Sequence, residues 1–395
     1  MKNPRGPVAG LNSLLENHRE ALWAAGKAFL FSRSIVLLAA LLAPVFLPEQ
    51  PLADLPPDQM HTQAPPIFDA FVRWDGMHYL SIARDGYSTQ GGVWGNNTPY
   101  WPLYPALMRL LGGWAGETGL VIAGLGLSNL CFFFALFTMY RIGRSYLEPA
   151  AANRSVLYLA LFPTSFLFSA LYAESLSLLL VLLTLVCLEG NRWLRAGMLG
   201  GLAALSRGPL VLLTAPILWK WLRSGWTQPR LKRPLAACLL VPAGTVLFTG
   251  VLWFTVGDPL AAIRVVERRA GSGGSLDFFS VVAALVAQGK VPGFEFLYPA
   301  FLTIIVLAAG ARLPAQWNNG IVAWFWAYTI PVVVLSNVSG IPFYSTARFL
   351  LFSFPSFLVM GQWGRKRPVH LLFVSLGGVF LVLSTMLFVQ WYWVA

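Results

Sequence analysis

Charge is what this sequence has least of. Asp, Glu, Lys and Arg make up 11% of its 395 residues, where a soluble domain carries about 25%. Runs such as 34–47, 176–188 and 371–389 offer water almost nothing to bond. That excludes an ordinary soluble globule. Alternation of apolar and polar residues is missing too, which excludes a transmembrane barrel. Only helices or closed barrels satisfy the backbone in lipid, so the expected class is all-α, a polytopic transmembrane helical bundle. Cysteine is scarce: Cys131, Cys187 and Cys238 sit inside apolar runs, with neither metal-ligand spacing nor a disulfide framework. Of four histidines, His18, His61 and His370 are scattered, so neither a metal nor another cofactor is expected. A cleavable signal is not evident. The first apolar run, near Phe29, follows a polar lead holding Lys2, Arg5, Arg19, Lys27 and Arg33 and reads as an uncleaved anchor.

What is present is a series of apolar runs near the roughly 20 residues that one crossing needs. Spans are expected near 29–47, 118–140, 155–172, 175–190, 234–256, 294–311, 320–338, 346–363 and 369–391. Residues 1–28 read as a cytoplasmic segment, and 29–391 as one integral membrane domain. The net charge of +12 is then an orientation signal, because the inner loops collect most of the Lys and Arg, and no nucleic acid is called for. One stretch resists simple counting. Residues 196–219 are long enough for a span, yet Arg192 and Arg195 precede it and Lys220, Arg223, Arg230, Lys232 and Arg233 follow. Ser206-Arg207-Gly208-Pro209 breaks it in the middle. Two half-helices that enter and leave on the inner side reconcile the charges, and broken backbone at membrane depth is tolerated where it lines a polar cavity.

Two outer segments are long, 48–117 and 257–293. The first opens with six prolines between Pro48 and Pro66 and is expected to be helical from about Ile67 to Ala83. The second carries a Gly271-x-Gly273-Gly274 turn. Both suit helices lying on the membrane surface.

The densest polar and aromatic cluster is Arg73-Trp74-Asp75-Gly76-Met77-His78-Tyr79. On a helix Asp75 faces His78 and Tyr79 one turn later, a plausible general-base pair. The plainer alternative is an interfacial helix with Trp and Tyr in the headgroup belt and Arg73 paired with Asp69. Pro99-Tyr100-Trp101-Pro102-Leu103-Tyr104-Pro105 is a rigid aromatic turn, suited to a sugar ring or to a membrane wedge. Tyr172-Ala173-Glu174-Ser175 sits at an outer tip, where Glu174 is either a competing base or a solvated turn acid. Arg207 is a cation at membrane depth, functional by default unless it snorkels. Tyr344-Ser345-Thr346-Ala347-Arg348 opens a span, and Arg348 either binds a phosphate or anchors the helix.

Trp74-Asp75-x-x-His78-Tyr79, Ile82-Ala83-x-x-Gly86-Tyr87 and Pro102-Leu103-Tyr104-Pro105 resemble the first-loop signature of the PIG-V family. That family comprises the second mannosyltransferase of glycosylphosphatidylinositol assembly and its prokaryotic relatives, within the GT-C glycosyltransferases. Tyr172-x-Glu174-Ser175, Leu205-Ser206-Arg207-Gly208, Gly257-Asp258-Pro259-Leu260-Ala261 and Arg348-Phe349-Leu350 follow in the family order. Gly76 stands where the family often has Ser, and Tyr100-Trp101 where Phe-Phe is usual. The resemblance implies a GT-C type bundle that moves mannose from polyprenyl-phosphate mannose to a hydroxyl acceptor, a glycolipid or glycan, at the outer face. It implies Asp75 as base with His78 and Glu174 beside it, and Arg207, Arg348 and Arg73 for the donor phosphate. Trp74, Tyr79, Trp101, Tyr104, Tyr172 and Tyr344 would contact sugar or acceptor. Polyprenyl phosphate leaves readily, so one base and two cations suffice without a metal. Competing readings are a flippase for lipid-linked sugars and a transferase for another polyprenyl-phosphate sugar.

Overall fold

The structure is a computed structural model that describes residues 7–52, 60–90, 95–224, 232–271, 297–314, 317, 319–338 and 345–394. Most of the second outer segment, with Gly273-Gly274, and Tyr344 lie outside the described residues. Among the described residues all regular structure is helical. Four stretches are long and apolar enough to cross a membrane, His18–Phe46, Leu103–Arg144, Lys232–Val256 and Arg367–Val389. The protein is an all-α integral membrane protein.

Helix α1 (Pro7–Phe46) runs for 40 residues, about 60 Å at 1.5 Å per residue. It begins well before the run expected from Phe29, so the polar lead extends the span. Helices α2 (Pro66–Asp69) and α3 (Asp75–Asp85) replace the single helix expected over Ile67–Ala83. The break is Trp74, whose φ of 52° lies in the left-handed region that bulky residues avoid. Helices α4 (Leu103–Gly112) and α5 (Gly116–Arg144) form a hairpin within one apolar run. Gly116 takes a φ of 67°, and a Cβ on Gly112 would stand 2.1 Å from the Gly119 carbonyl oxygen. α4 keeps Leu110 and Leu111 exposed, as an interfacial helix does.

The span expected over 155–172 is not one helix. α6 (Pro149–Ala160) stops, Pro163 forbids its continuation, and a 3₁₀ turn at Ser165–Phe168 leads to α7 (Glu174–Glu189). Arg33 of α1 fills the gap. It donates to the Ser165 carbonyl at 2.9 Å, to the Ser165 and Ser169 hydroxyls at 3.0 Å, and to the Ala160 carbonyl at 3.4 Å. The break orphans carbonyls and Arg33 satisfies them. Arg33 is thus a second cation, besides Arg207, that is set against a break in the helices.

The basic-flanked stretch breaks where Gly and Pro dictate. α8 (Trp193–Ser206), a 3₁₀ turn (Gly208–Leu213) and α9 (Thr214–Arg223) form a bent pair. Lys220 on α9 donates to the Leu188 and Glu189 carbonyls at the end of α7. Its ammonium lies 5.7 Å from the Trp193 ring at the start of α8. At the other end of α7, Arg207 meets Glu174. The pair thus enters and leaves at one end of the bundle, with its break reaching the opposite end. α10 (Lys232–Val256) packs on α8 backbone to backbone: a Cβ on Gly244 would stand 2.1 Å from the Gly201 carbonyl oxygen. Small residues permit such approach in membrane helices.

α11 (Ala261–Gly271), α12 (Leu297–Gly310) and α13 (Asn319–Val338) follow. The span expected over 346–363 is in three pieces: α14 (Thr346–Phe349), a 3₁₀ turn (Leu350–Phe352) and α15 (Phe354–Trp363), with Pro355 in the first turn of the last. α16 (Arg367–Val389) closes the bundle against α1.

Candidate active site

Four charged residues meet where helices begin or break. Asp75 opens α3, Glu174 opens α7, Arg207 sits in the break after α8, and Arg348 lies on the short α14. Arg348 Nη1 donates to Asp75 Oδ2 at 2.5 Å. The Tyr100 hydroxyl donates to Asp75 Oδ1 at 3.2 Å, and the Asp75 N–H donates to the Tyr172 hydroxyl at 3.3 Å. Arg207 Nη1 donates to Glu174 Oε1. Both arginines lie against Phe349, whose ring centre is 4.8 Å from the Arg207 guanidinium and 5.2 Å from that of Arg348. The result is two carboxylate–arginine pairs that share one aromatic ring, at one end of the bundle.

Burial alone would raise the Asp75 carboxyl. The guanidinium bonded to it, with smaller help from His78 and Arg207, overcomes burial and holds it below the usual carboxylate range. Asp75 is therefore an ionised acceptor while Arg348 holds it. Glu174 is wholly buried. Its Oε2 is buried with no hydrogen-bond partner among the described residues.

The expected pairing of Asp75 with His78 along one helix face takes another form. His78 stacks on Tyr100, ring centres 4.3 Å apart and planes 14° apart, and Tyr100 carries the hydrogen bond to Asp75. Tyr79 is buried edge-on between Tyr100, Tyr104 and Tyr172. Tyr104 points away, bonding the Gly124 carbonyl at 2.9 Å and the Ser128 hydroxyl at 2.8 Å. Trp101 packs on Phe248 and covers Gly208, where a Cβ would stand 2.6 Å from its ring. Gly208 is thus required beside the Arg207 break. Arg73 is not brought to the cluster. It donates to Asp69 Oδ2 at 3.2 Å, the Asp69 carbonyl at 2.7 Å and the Val389 carbonyl at 3.1 Å. Those contacts tie α2 to the end of α16, so its surroundings favour the plainer pairing with Asp69 over a phosphate role.

Sequence reasoning missed the residues after α16. Trp393 meets Trp74 edge-on at 5.1 Å and 87°, with the Arg348 guanidinium 5.9 Å from its ring centre. Trp391 packs on Trp74 at 5.8 Å, and Arg73 lies 4.9 Å over it. The one local signal was the aromatic density of Trp391-Tyr392-Trp393. Among the described residues, no group of three or more His, Cys, Asp or Glu converges to hold a metal ion.

None of the curated proteins compared matches the chain. Among solved structures it is similar to the oligosaccharyltransferase of Archaeoglobus fulgidus in the apo form, at 14% identity and a TM-score of 0.43, covering 92% of this chain and 56% of that one. It is similar as well to the oligosaccharyltransferase AglB of the same organism in complex with an inhibitory peptide and a dolichol-phosphate, at 12% identity and a TM-score of 0.41, covering 92% and 56%. The chain thus spans a little over half the length of these proteins. The family model described as mannosyltransferase (PIG-V) matches residues 26–208, a stretch holding Asp75, Glu174 and Arg207, and over it the resemblance carried by the first-loop motifs is borne out.

Proposed function

We propose that this protein is a membrane glycosyltransferase that moves mannose from polyprenyl-phosphate mannose to a hydroxyl acceptor. The observation that carries the reading is the pair of arginines, each resting on a carboxylate, among the aromatic residues that the family signature supplies. The acceptor oxygen attacks the anomeric carbon, the bond from that carbon to the phosphate oxygen breaks, and its electron pair leaves with polyprenyl phosphate. Asp75 takes the acceptor proton. Arg348 and Arg207 stabilise the charge that develops on the phosphate.

On this reading the events follow in order. A donor phosphate competes with Asp75 for Arg348. When Arg348 turns to the phosphate, Asp75 loses the cation that held its pKa down and becomes a better base, so the base is activated only with donor in place. The site lies at the bundle end where α1 finishes and α7 begins, which we take as the outer face.

Purified protein incubated with polyprenyl-phosphate mannose and membrane lipid extract should yield a product heavier by one hexose in mass spectrometry. Movement of the sugar lipid across a reconstituted bilayer without a new glycosidic bond would replace this reading by a flippase. A product formed only from another polyprenyl-phosphate sugar would change the donor.

A further inference from the structure

A cavity of about 430 Å³ opens between α5 and α7 at the end of the bundle opposite the candidate active site. α7 starts at Glu174 in the site and ends at Glu189. α5 runs beside it from Ser128, which donates to the Tyr172 carbonyl at 3.1 Å, to Arg144. Arg141, Ser145 and Glu189 stand at the mouth, while Phe134, Leu179 and Leu183 line the wall towards the middle of the bundle. Leu179 precedes Glu189 by ten residues, about 15 Å along a helix. The cavity is thus polar at one end and apolar along its length, the outline of an amphiphile.

Its mouth holds one cation and one anion on opposite walls. Arg141 on α5 is exposed, with its guanidinium 5.8 Å from the Phe137 ring centre. Glu189 on α7 is exposed and accepts the Tyr146 hydroxyl at 3.1 Å. Among the described residues, Arg141 and Glu189 do not pair with each other. The neighbouring cations are turned elsewhere. Arg144 lies 3.6 Å from Glu20 and donates to the Leu147 carbonyl at 2.8 Å. Lys220 is bonded to the Leu188 and Glu189 carbonyls that end α7.

We propose that this cavity binds a membrane phospholipid whose headgroup joins a phosphate to a primary ammonium. The phosphate rests on Arg141, the ammonium on Glu189, and an acyl chain runs along Phe134, Leu179 and Leu183. A basic pocket alone would select an anionic headgroup, but here Glu189 opposes a second negative charge. A cationic amphiphile would meet Arg141. A zwitterion satisfies both walls, and a primary ammonium donates hydrogen bonds to a carboxylate as a trimethylated one cannot. The cavity is remote from Asp75 and Arg348, and its ligand stands independently of the glycosyltransferase reading.

The test titrates the full-length protein in detergent with phosphatidylethanolamine, phosphatidylcholine and phosphatidylglycerol of equal short chains, with binding read by native mass spectrometry. Phosphatidylethanolamine should bind about three- to fivefold more tightly than either of the others, the size of one exposed ion pair. Arg141→Gln should weaken its binding by about the same factor, and Arg141→Lys should keep most of the affinity. Glu189→Gln should remove the preference over phosphatidylcholine and raise the affinity for phosphatidylglycerol. Unfolding of each variant at the parental temperature in lipid-free detergent separates these losses from loss of the fold, and Arg141→Lys serves if Arg141→Gln does not fold. Equal binding of all three lipids would make the cavity an unselective groove and overturn the proposal. Preference for phosphatidylglycerol would overturn it in favour of a simple anion site. A preference for phosphatidylethanolamine that survives both Arg141→Gln and Glu189→Gln would place the lipid elsewhere. Displacement of the lipid by water-soluble glycerophosphoethanolamine at equal concentration would show that the ligand is not a membrane lipid.

Discussion

Arg348 reaches back across 273 positions of sequence to bond Asp75 at 2.5 Å. The residue placed as base and a residue placed on the phosphate therefore neutralise one another until something comes between them. A site built this way keeps two desolvated charges without a substrate, because each is the other's counter-ion.

Replacing Asp75 tests the base. Asp75→Asn keeps the shape and part of the bond to Arg348 but accepts no proton. Turnover should fall by roughly two orders of magnitude or more, since a positioned base contributes about 10²–10⁴-fold. Donor affinity should stay the same or tighten, because Arg348 is freed. Near-parental turnover in a folded Asp75→Asn protein would rule Asp75 out as base, and a collapse only in Glu174→Gln would move the role to Glu174.

Glu174 and Arg207 test the second pair. Glu174→Gln leaves Arg207 without its counter-ion in a site where Glu174 is wholly buried. Breaking such a pair costs about 3–5 kcal/mol, so thermal unfolding in detergent should shift down sharply. Replacing Arg207 by Gln in the same chain should restore much of that loss, because two neutral amides replace two charges. A single variant as stable as the parent would show that the pair carries no folding energy.

The acid limb of the pH profile tests the exchange of partners. Asp75 is held below the ordinary carboxylate value of about 4 while Arg348 bonds it. A depressed pKa in the folded state means that the pair's contribution to stability is complete above the unfolded value. It is lost only as pH falls through the folded one. In kcat/KM, which reports free enzyme, the limb due to Asp75 should lie below pH 4. In kcat it should lie higher, since the donor phosphate has taken Arg348. Identical limbs would show that the pair stays closed during turnover.

Sidedness can be read with thiols. In a chain without Cys131, Cys187 and Cys238, single cysteines at Ser88 and Ser224 should react with an impermeant reagent from opposite sides of sealed vesicles. Labelling of both from one side would end the reading of 196–219 as two half-helices that enter and leave on one side.

Much of this site was legible in sequence, and the reasons differ residue by residue. The break at Ser206–Pro209 showed because Gly and Pro act locally, and charges on both flanks forced the chain to return. Asp75 stood in the densest polar cluster, Glu174 at an outer tip, Arg207 as a cation at membrane depth and Arg348 at the opening of a span. Which carboxylate pairs with which arginine did not show, because those contacts join elements far apart in sequence. Pro163 and Pro355 did mark the breaks in two spans, but hydropathy outweighed them. Nothing local signals that Trp74 takes a positive φ, so one amphipathic helix stood in for two. The place of Trp393 depends on where α16 ends in space, which no local pattern encodes.

Arg33 has a consequence for the birth of the protein. The carbonyls and hydroxyls it bonds lie 127 to 136 residues further along the chain. When the first hydrophobic helix leaves the ribosome, none of those partners has been synthesised. A lone arginine at the centre of a helix disfavours insertion by about 2.5–3.5 kcal/mol, so α1 should settle only when the broken segment after α6 arrives beside it. Nascent chains arrested before Ala160 should therefore show incomplete integration of α1, repaired by Arg33→Leu. Complete integration at that length would mean that the bilayer accepts the cation unaided.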